Sequence, residues 1–339
     1  MTEKVKELAP KIWEEIQKSQ KILMHLHPSP DADAAGSALA LAFFLKKLGK
    51  EVTIIGGDSS LPETLNFLPG FSQIIPKNYF QITPQDFDLF LIIDTSSLNQ
   101  ISKVDKVILP ETLTTIVIDH HATNENFAKI NLAETSYPAT AQIIYDLFQL
   151  WGVEITPEMA ICLFMGVYTD SMFKYSKTNH DTFLMAADLI NKYPDFAQAV
   201  LRYENNQQAE NISYLGLALS SLEKYFSGKV IVSIVPNQEL IKRGIKQEHT
   251  EKMEIANYIK SVIGWEIGIS FTEVRPQVVN ISLRTRDEKK YDVSKIAAAT
   301  GFGGGHPAAA GATLKMPFAE AKKFLLETIK KVYPELGEP

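Results

Sequence analysis

Between Leu89 and His121 the chain twice builds an almost wholly apolar run and twice breaks it on an aspartate. "LFLIID" ends at Asp94, and "TTIVIDHH" ends at Asp119, His120 and His121. Aliphatic and β-branched residues over so short a length read as buried strands. The carboxyl ends of strands in an open α/β sheet are where ligand sites gather. Adjacent histidines on an extended segment point to opposite sides, so His120 and His121 can serve two different partners. Taken alone, the stretch is equally well explained as a hydrogen-bonded turn whose histidines cap polar groups.

The surrounding pattern supports a parallel sheet. "KILMHLH" reads as an earlier strand, "DADAAGSALALAFFLKKLGK" as a turn entering an amphipathic helix, and "EVTIIGG" as a second strand. Helical segments follow at "YPATAQIIYDLFQLWG", "TPEMAICLFMGVYTDSMF" and "NHDTFLMAADLINKY". Strands alternating with helices predict a doubly wound α/β domain, its parallel sheet covered on both faces, over residues 1–192. From Pro194 to about Tyr225 the chain reads as one long helix, polar in its middle, whose part over 193–214 suits a linker between domains. Beyond it, strands at "KVIVSIV", "WEIGISFTEV" and "QVVNISLRTR" join helices at "EKMEIANYIKSVI", "VSKIAAAT" and "FAEAKKFLLETIKKVY". They predict a smaller mixed α/β domain over 215–339.

Composition narrows the function classes. With 339 residues, the chain is long enough for two cores, and its net charge of −6 argues against a broad surface for duplex nucleic acid. A local basic pocket for a small phosphorylated ligand stays compatible with that balance. The single cysteine, Cys162, lies in the apolar run "AICLFMGVY" and reads as a small buried hydrophobe. The first twenty or so residues form a charged amphipathic helix without an apolar signal core, and no uncharged run reaches membrane-span length. A cytoplasmic setting without membrane contact is the expectation.

Four separated places offer ligands for a hard or borderline metal ion. They are His27, Asp31 and Asp33 in "HPSPDADAAGS"; Asp94; the "DHH" run; and Asp170 in "GVYTDS". Each has a plain alternative: Asp31 and Asp33 as helix caps, His27 as a satisfied core histidine, Asp170 as a surface residue at a helix end. Together they are hard to explain by packing, because buried carboxylates are costly unless paired or metal-bound. Carboxylates with imidazoles suit Mn²⁺, Mg²⁺ or Fe.

"HPSPDADAAGS", "LIIDTS", "VIDHH" and "YTDS", in this order, resemble the four motifs of the DHH phosphoesterase superfamily. "GFGGGHPAAAGATL" resembles the glycine–histidine signature of the DHH-associated domain, and the likeness runs from about His25 to Leu314. The resemblance implies two divalent ions, Mn²⁺ favoured and Mg²⁺ tolerated. His27, Asp31 and Asp94 would hold one; Asp33, Asp94, His120 and Asp170 would hold the other, with Asp94 shared. His121 would contact the scissile phosphate or act near the leaving group, and Asp119 would orient an imidazole. In the second domain Gly303, Gly304, Gly305 and His306 would form a phosphate nest. Arg284, the better match, and Arg286 would contact the nucleotide.

The branch most similar to this chain hydrolyses short oligoribonucleotides, of about two to five residues, and the 3′-phosphate of pAp. The attack would be in-line, by a metal-bridging hydroxide. A phosphodiesterase for linear diadenylate, a RecJ-like single-strand exonuclease and a catalytically silent nucleotide-binding protein are the alternatives. Two departures stand out: "TDSMFKY" lacks the branch's glycine and is one residue short, leaving open whether Phe173 stacks on a base, and Phe302 replaces the first of four glycines. Length preference, direction of digestion and oligomeric state, dimer or otherwise, are not legible.

Overall fold

Both apolar runs are strands at the centre of a six-stranded parallel sheet. The computed structural model describes residues 1–339 apart from 29, 175, 176, 207 and 252. The chain divides into two units, Met1–Asn206 and Gln207–Pro339. In the first, β1 (Lys21–His25), β2 (Glu51–Ile55), β3 (Ile74–Ile75), β4 (Leu89–Ile93), β5 (Thr114–Asp119) and β6 (Ile130–Ala133) lie in the order β3-β2-β1-β4-β5-β6. Strand order reverses between β1 and β4, which opens a crevice at their carboxyl ends. His27 follows β1 and Asp94 follows β4, so the topology puts them on either side of that crevice.

The described residues of this unit form the helices α1 (Glu3–Lys18), α2 (Ala32–Lys47), α3 (Thr140–Leu150), α4 (Pro157–Ser171), α5 (His180–Lys192) and α6 (Phe196–Glu204). Ile22, Met24, Leu91, Ile93, Ile116 and Ile118 bury one face of the sheet against Ile12, Leu41, Ile143 and Leu163 of these helices. The sheet is covered on both faces, as its apolar strands require, but the second cover differs from the expected one. Leu23, Phe90, Ile92 and Val117 pack there against Tyr79, Ile101, Val107 and Leu113, which lie in 3-10 turns and irregular chain. Pro62, Pro69, Pro76 and Pro84 punctuate that segment too closely for an α-helix to form between them.

The second unit contains β7 (Leu222–Tyr225), β8 (Val230–Val235), β9 (Ile267–Arg275), β10 (Val278–Thr285), β11 (Gly303–His306) and β12 (Ala309–Lys315). Their order is β11-β12-β10-β9-β8-β7, antiparallel throughout except for the β8/β9 pair. With them run α7 (Ala209–Ser220), α8 (Asn237–Lys242), α9 (Gln247–Glu251), α10 (Ile255–Lys260), α11 (Val293–Ala299) and α12 (Phe318–Val332). Val279, Ile281 and Leu283 alternate onto one face and bury against Ile296, Leu325 and Ile329. On the other face Tyr214, Ile255 and Ile259 cover Ile231 and Val235. Among the described residues, no helix is long and apolar enough to cross a membrane.

Three local expectations give way. The single helix expected after Pro194 is two, α6 and α7, and its end, Leu222–Tyr225, is strand β7. The break falls in "NNQQ", where asparagines compete for backbone hydrogen bonds; Gln207 lies outside the described residues. "EKMEIANYIKSVI" likewise separates into α9 and α10. The glycine run is an extended edge strand paired with β12, rather than a tight turn or nest.

Candidate metal centre and nucleotide-binding face

Six side chains from four places in the first unit converge. His27 Nε2 lies 3.8 Å from Asp31 Oδ2 and 3.6 Å from Asp94 Oδ2. His120 Nε2 lies 3.6 Å from Asp94 Oδ1, 3.9 Å from Asp33 Oδ2 and 3.2 Å from Asp170 Oδ2. Asp94 therefore turns one oxygen to each histidine. It does so from a left-handed backbone (φ 53°), a conformation a non-glycine residue rarely holds unless its surroundings enforce it. Here its N–H is tied to Ile118 O of the neighbouring strand, 2.9 Å away.

The two histidines are aimed the same way. His27 Nδ1 is 3.0 Å from Pro28 O and His120 Nδ1 is 3.4 Å from Tyr137 O, so backbone carbonyls fix both rings and leave Nε2 for the carboxylates. His121 is held differently: its Nδ1 lies 2.7 Å from Asp119 Oδ1, and its ring is 41% exposed. Asn124 Nδ2 donates to Asp119 Oδ2 at 2.6 Å and to Thr95 O at 3.2 Å, pinning the carboxylate to the loop after β4. Asp119 thus serves His121, not His120.

For Asp31 both readings of the sequence hold at once. Its Oδ1 caps α2 by accepting from the N–H groups of Asp33 and Ala34, at 3.0 and 2.9 Å, while Oδ2 faces His27. Asp33 is fully buried and caps a different helix: its two oxygens accept from Thr140 N and Ala141 N at the start of α3, 2.7 and 2.8 Å away. Thr140 Oγ1 donates to Asp94 Oδ1 at 2.9 Å. Sequence reasoning missed Thr140 and Asn124, whose roles exist only across the fold.

It also missed two glycines that did leave a signal. Glycine inside an apolar helix costs about 1 kcal/mol relative to alanine, so it calls for a reason. A Cβ at Gly36 of α2 would fall 2.2 Å from Cys162 O of α4. One at Gly166 of α4 would fall 2.9 Å from Asp33 Oδ1 and 2.8 Å from Ala141 Cβ. The two helices touch backbone to backbone, and the contact seats Asp33.

Electrostatics say what the cluster lacks. Burial pushes His27 down, but the carboxylates of Asp31 and Asp94 outweigh it and raise it to about 11. His120, also opposed by burial, is raised to about 9 by Asp170, Asp33 and Asp94, and His121 to about 9 chiefly by Asp119. Burial and the neighbouring carboxylates raise Asp33 well above its ordinary range and Asp170 to about 6. The pocket gathers protons because its charges demand cations. His120 Nε2 is buried and lacks a hydrogen-bond partner of proper geometry, although three carboxylates surround it. Three groups have ligand atoms within 4.8 Å of one another: His27/Asp31/Asp94, Asp33/His120/Asp170 and Asp94/His120/His121. A mixed oxygen and imidazole donor set of this kind fits divalent cations.

In the second unit the substrate residues predicted from sequence part company. Arg284 on β10 pairs in register with Ala309, which pairs with His306, so Arg284 and His306 share a face of the sheet. Arg286 is engaged elsewhere: its Nη1 donates to Val262 O and Ser261 O, at 2.8 and 3.4 Å, just past α10, which makes it a helix cap. Gly303 and Gly305 are required by packing, since a Cβ on either would fall 2.1 and 2.6 Å from β12 backbone atoms. Gly304 faces open space, and Phe302 is 53% exposed. Phe173 packs in an aromatic group with Phe164, Tyr168 and Phe183, its ring stacked 5.7 Å from Phe183. Tyr175 and Ser176, in the loop shortened after Asp170, lie outside the described residues.

Fold and site together define a phosphoesterase built around a carboxylate–imidazole cluster at a topological switch point. Residues 21–167 match the DHH family N-terminal domain, and residues 227–335 match the DHHA1 domain. The chain belongs to the DHH phosphoesterase superfamily, in the branch that carries the associated C-terminal domain. It is 28% identical, over 97% of each chain, to the bifunctional oligoribonuclease and PAP phosphatase NrnA of Thermus thermophilus. An exopolyphosphatase-related protein from Bacteroides fragilis shares its fold at a TM-score of 0.88, with 24% identity and 98% of each chain covered. RecJ from Thermus thermophilus, in complex with Mn²⁺, matches at 0.55 with 14% identity; the match covers 99% of this chain and 55% of RecJ.

Proposed function

We propose that this protein is a divalent-metal-dependent hydrolase that degrades short oligoribonucleotides to mononucleotides and removes phosphate from pAp. Its similarity to relatives so named runs nearly end to end. Residues 1–192 would carry the chemistry and residues 215–339 would bind the rest of the substrate. His27, Asp31 and Asp94 would hold one cation, and Asp33, Asp94, His120 and Asp170 would hold the other, with Mn²⁺ the favoured ion. Asp94 carries this reading: its two oxygens lie 3.6 Å from two different histidines, the arrangement a shared ligand needs.

When bound, such cations polarise a phosphate and lower the pKa of water to near neutrality. The chain's own groups do the rest. Asp119 accepts a hydrogen bond from His121 Nδ1–H, which leaves Nε2 free to face substrate. In its protonated form, His121 hydrogen-bonds a phosphate oxygen and gives its Nε2 proton to the departing ribose oxygen. Asn124 keeps Asp119 in line, and the Asp119 carboxylate stabilises the imidazolium. Tyr137 O and Pro28 O hold the tautomers of the two metal-facing histidines. Thr140 and the start of α3 hold Asp94 and Asp33 in place before any ligand arrives.

The test is a time course with Mn²⁺ on a labelled RNA ladder of two to about twenty nucleotides, with pAp alongside, products being separated by chromatography. Rapid loss of the shortest oligomers with release of phosphate from pAp is expected. Cleavage confined to diadenylate would move the protein to cyclic-dinucleotide turnover. No release from any substrate would overturn the reading.

A further inference from the structure

Helix α10 brings a lysine beside the nucleotide face of the second unit. Across the sheet, one row of paired residues runs Gly268, Arg284, Ala309, His306. Residues paired in register share a face, so Arg284 and His306 stand on the same side with only the Ala309 methyl between them. Their strands are two spacings apart, roughly 10 Å, which a long arginine and an imidazole can close around one phosphate. The row's far end is glycine for a reason: a Cβ at Gly268 would fall 2.6 Å from Ala256 O and 2.9 Å from Lys260 N. Gly268 thus lets α10 lie against the sheet, with its last residue, Lys260, beside Arg284.

This placement is electrostatically unfavourable on its own. Burial, and then the charge of Arg284, hold the Lys260 ammonium below its usual range. Among the described residues, no carboxylate lies within ion-pair distance of Lys260, Arg284 or His306. Among the described residues, the Arg284 side chain hydrogen-bonds its own neighbour's carbonyl, Leu283 O, at 3.0 Å. Next to them, the row Ser282, Gly311, Gly304 forms a floor of small residues. A Cβ at Gly304 would meet nothing within 4 Å. Glu254 offsets part of this from beyond ion-pair distance, so two cations and an imidazole at the rim of an open polar floor remain only partly balanced by an anion.

We propose that Lys260 completes, with Arg284 and His306, a site that selects a nucleotide's terminal phosphomonoester over an internal phosphodiester. Two cations converge where a diester offers one negative charge and a terminal phosphate offers up to two. The inference rests on the nucleotide-hydrolase reading and adds to it a preference for ends that carry phosphate. A 5′- and a 3′-phosphate share this chemistry, so the experiment separates them.

Binding of 5′-AMP, 3′-AMP, adenosine and ApA to the full chain is measured by calorimetry with a chelator present, a condition in which the acidic cluster of the first unit repels phosphate. At least one AMP isomer should bind about tenfold or more tightly than adenosine or ApA, and the better isomer identifies the end that is read. Lys260→Met, which keeps the stem, should erase about tenfold of that advantage, and Lys260→Arg should keep it. The thermal transition of each variant checks that the fold is intact. Equal binding of AMP and ApA, or an unchanged AMP affinity in folded Lys260→Met, would overturn the proposal. Short-RNA hydrolysis by the unmodified protein is run separately, so a missing activity with a Lys260-dependent AMP site would sink only the parent reading.

Discussion

The chain contains two six-stranded sheets, and they solve opposite problems. The first is all parallel, and its acidic cluster is built around buried carboxylates; Asp33 and Asp119 are fully inaccessible and Asp94 nearly so. The second is mostly antiparallel and leaves Ser282, Gly304 and His306 exposed on an uncovered stretch of one face. Burial suits the acidic cluster to cations, because low dielectric magnifies each charge and preformed hydrogen bonds fix it. Exposure suits the other face to a ligand that must arrive, lie down and leave. Local charge differs as well: carboxylates outweigh burial to raise His27 and His120 in the acidic cluster, whereas burial and the Arg284 charge lower Lys260 in the second unit.

The sharpest way to test this contrast is to remove the shared carboxylate. Asp94→Ala should abolish hydrolysis of every substrate, exceeding the roughly 10²–10³-fold loss that follows removal of one electrostatic stabiliser. Residual activity on any substrate above a hundredth of normal would mean that Asp94 is not common to both cations. Next in size, Asn124→Ala or Asp119→Asn should lower turnover about 10–100-fold while the thermal transition holds, since each acts by orienting His121. If turnover is unchanged, His121 is not held by this pair during the reaction. Gly166→Ala should destabilise the first unit by about 1–3 kcal/mol and weaken Mn²⁺ binding, because the new methyl must displace Asp33. Calorimetry would expose the error if stability fell and metal affinity did not. In the second unit, Arg284→Ala or His306→Ala should weaken dinucleotide binding about tenfold, with a much smaller effect on a small generic phosphodiester. Equal losses on both would erase the proposed division of labour.

A pH series separates the units most gently. His120 and His121 are raised to about 9, so the stability they lend the metal-free fold is complete below about 6.5 and is lost as pH rises through 9. The melting temperature of chelated protein should therefore fall between about pH 6.5 and 9. With Mn²⁺ present the trend should reverse, because the cation displaces the proton of His120 and binds more tightly as pH rises. Parallel curves with and without metal would show that the histidines do not meet the ion.

Much of the first unit was legible because its signals are local. An apolar run that ends on aspartate reads as a buried strand delivering a polar group to the sheet edge, and all six predicted ligands converge in space. The small strands β3, β6 and β7 were not legible, being two to four residues long and too short to show a period. Strand β12 was hidden by alanine and glycine, which carry little strand preference, and β11 by glycines that normally signal a turn. Arg284 is the better match in sequence and Arg286 the second; the strand ends at Thr285, and Arg286 Nη1 donates instead to carbonyls just past α10.

The sequence by itself determined the class of chemistry, since carboxylates and imidazoles at the ends of buried strands have few other uses. Which atoms face one another was decided only by the tertiary structure. Asp119 could have oriented either histidine, and it is the 2.7 Å contact in the folded loop that assigns it to His121. Thr140 and Gly166 acquire their roles from helices that meet Asp33 across more than a hundred residues of chain. Lys260 gains an anion to seek only because Gly268 lets its helix close on the sheet. Local composition encodes strands, helices and ligand types, whereas charge in a pocket depends on every group that surrounds it, and that is a property of the fold.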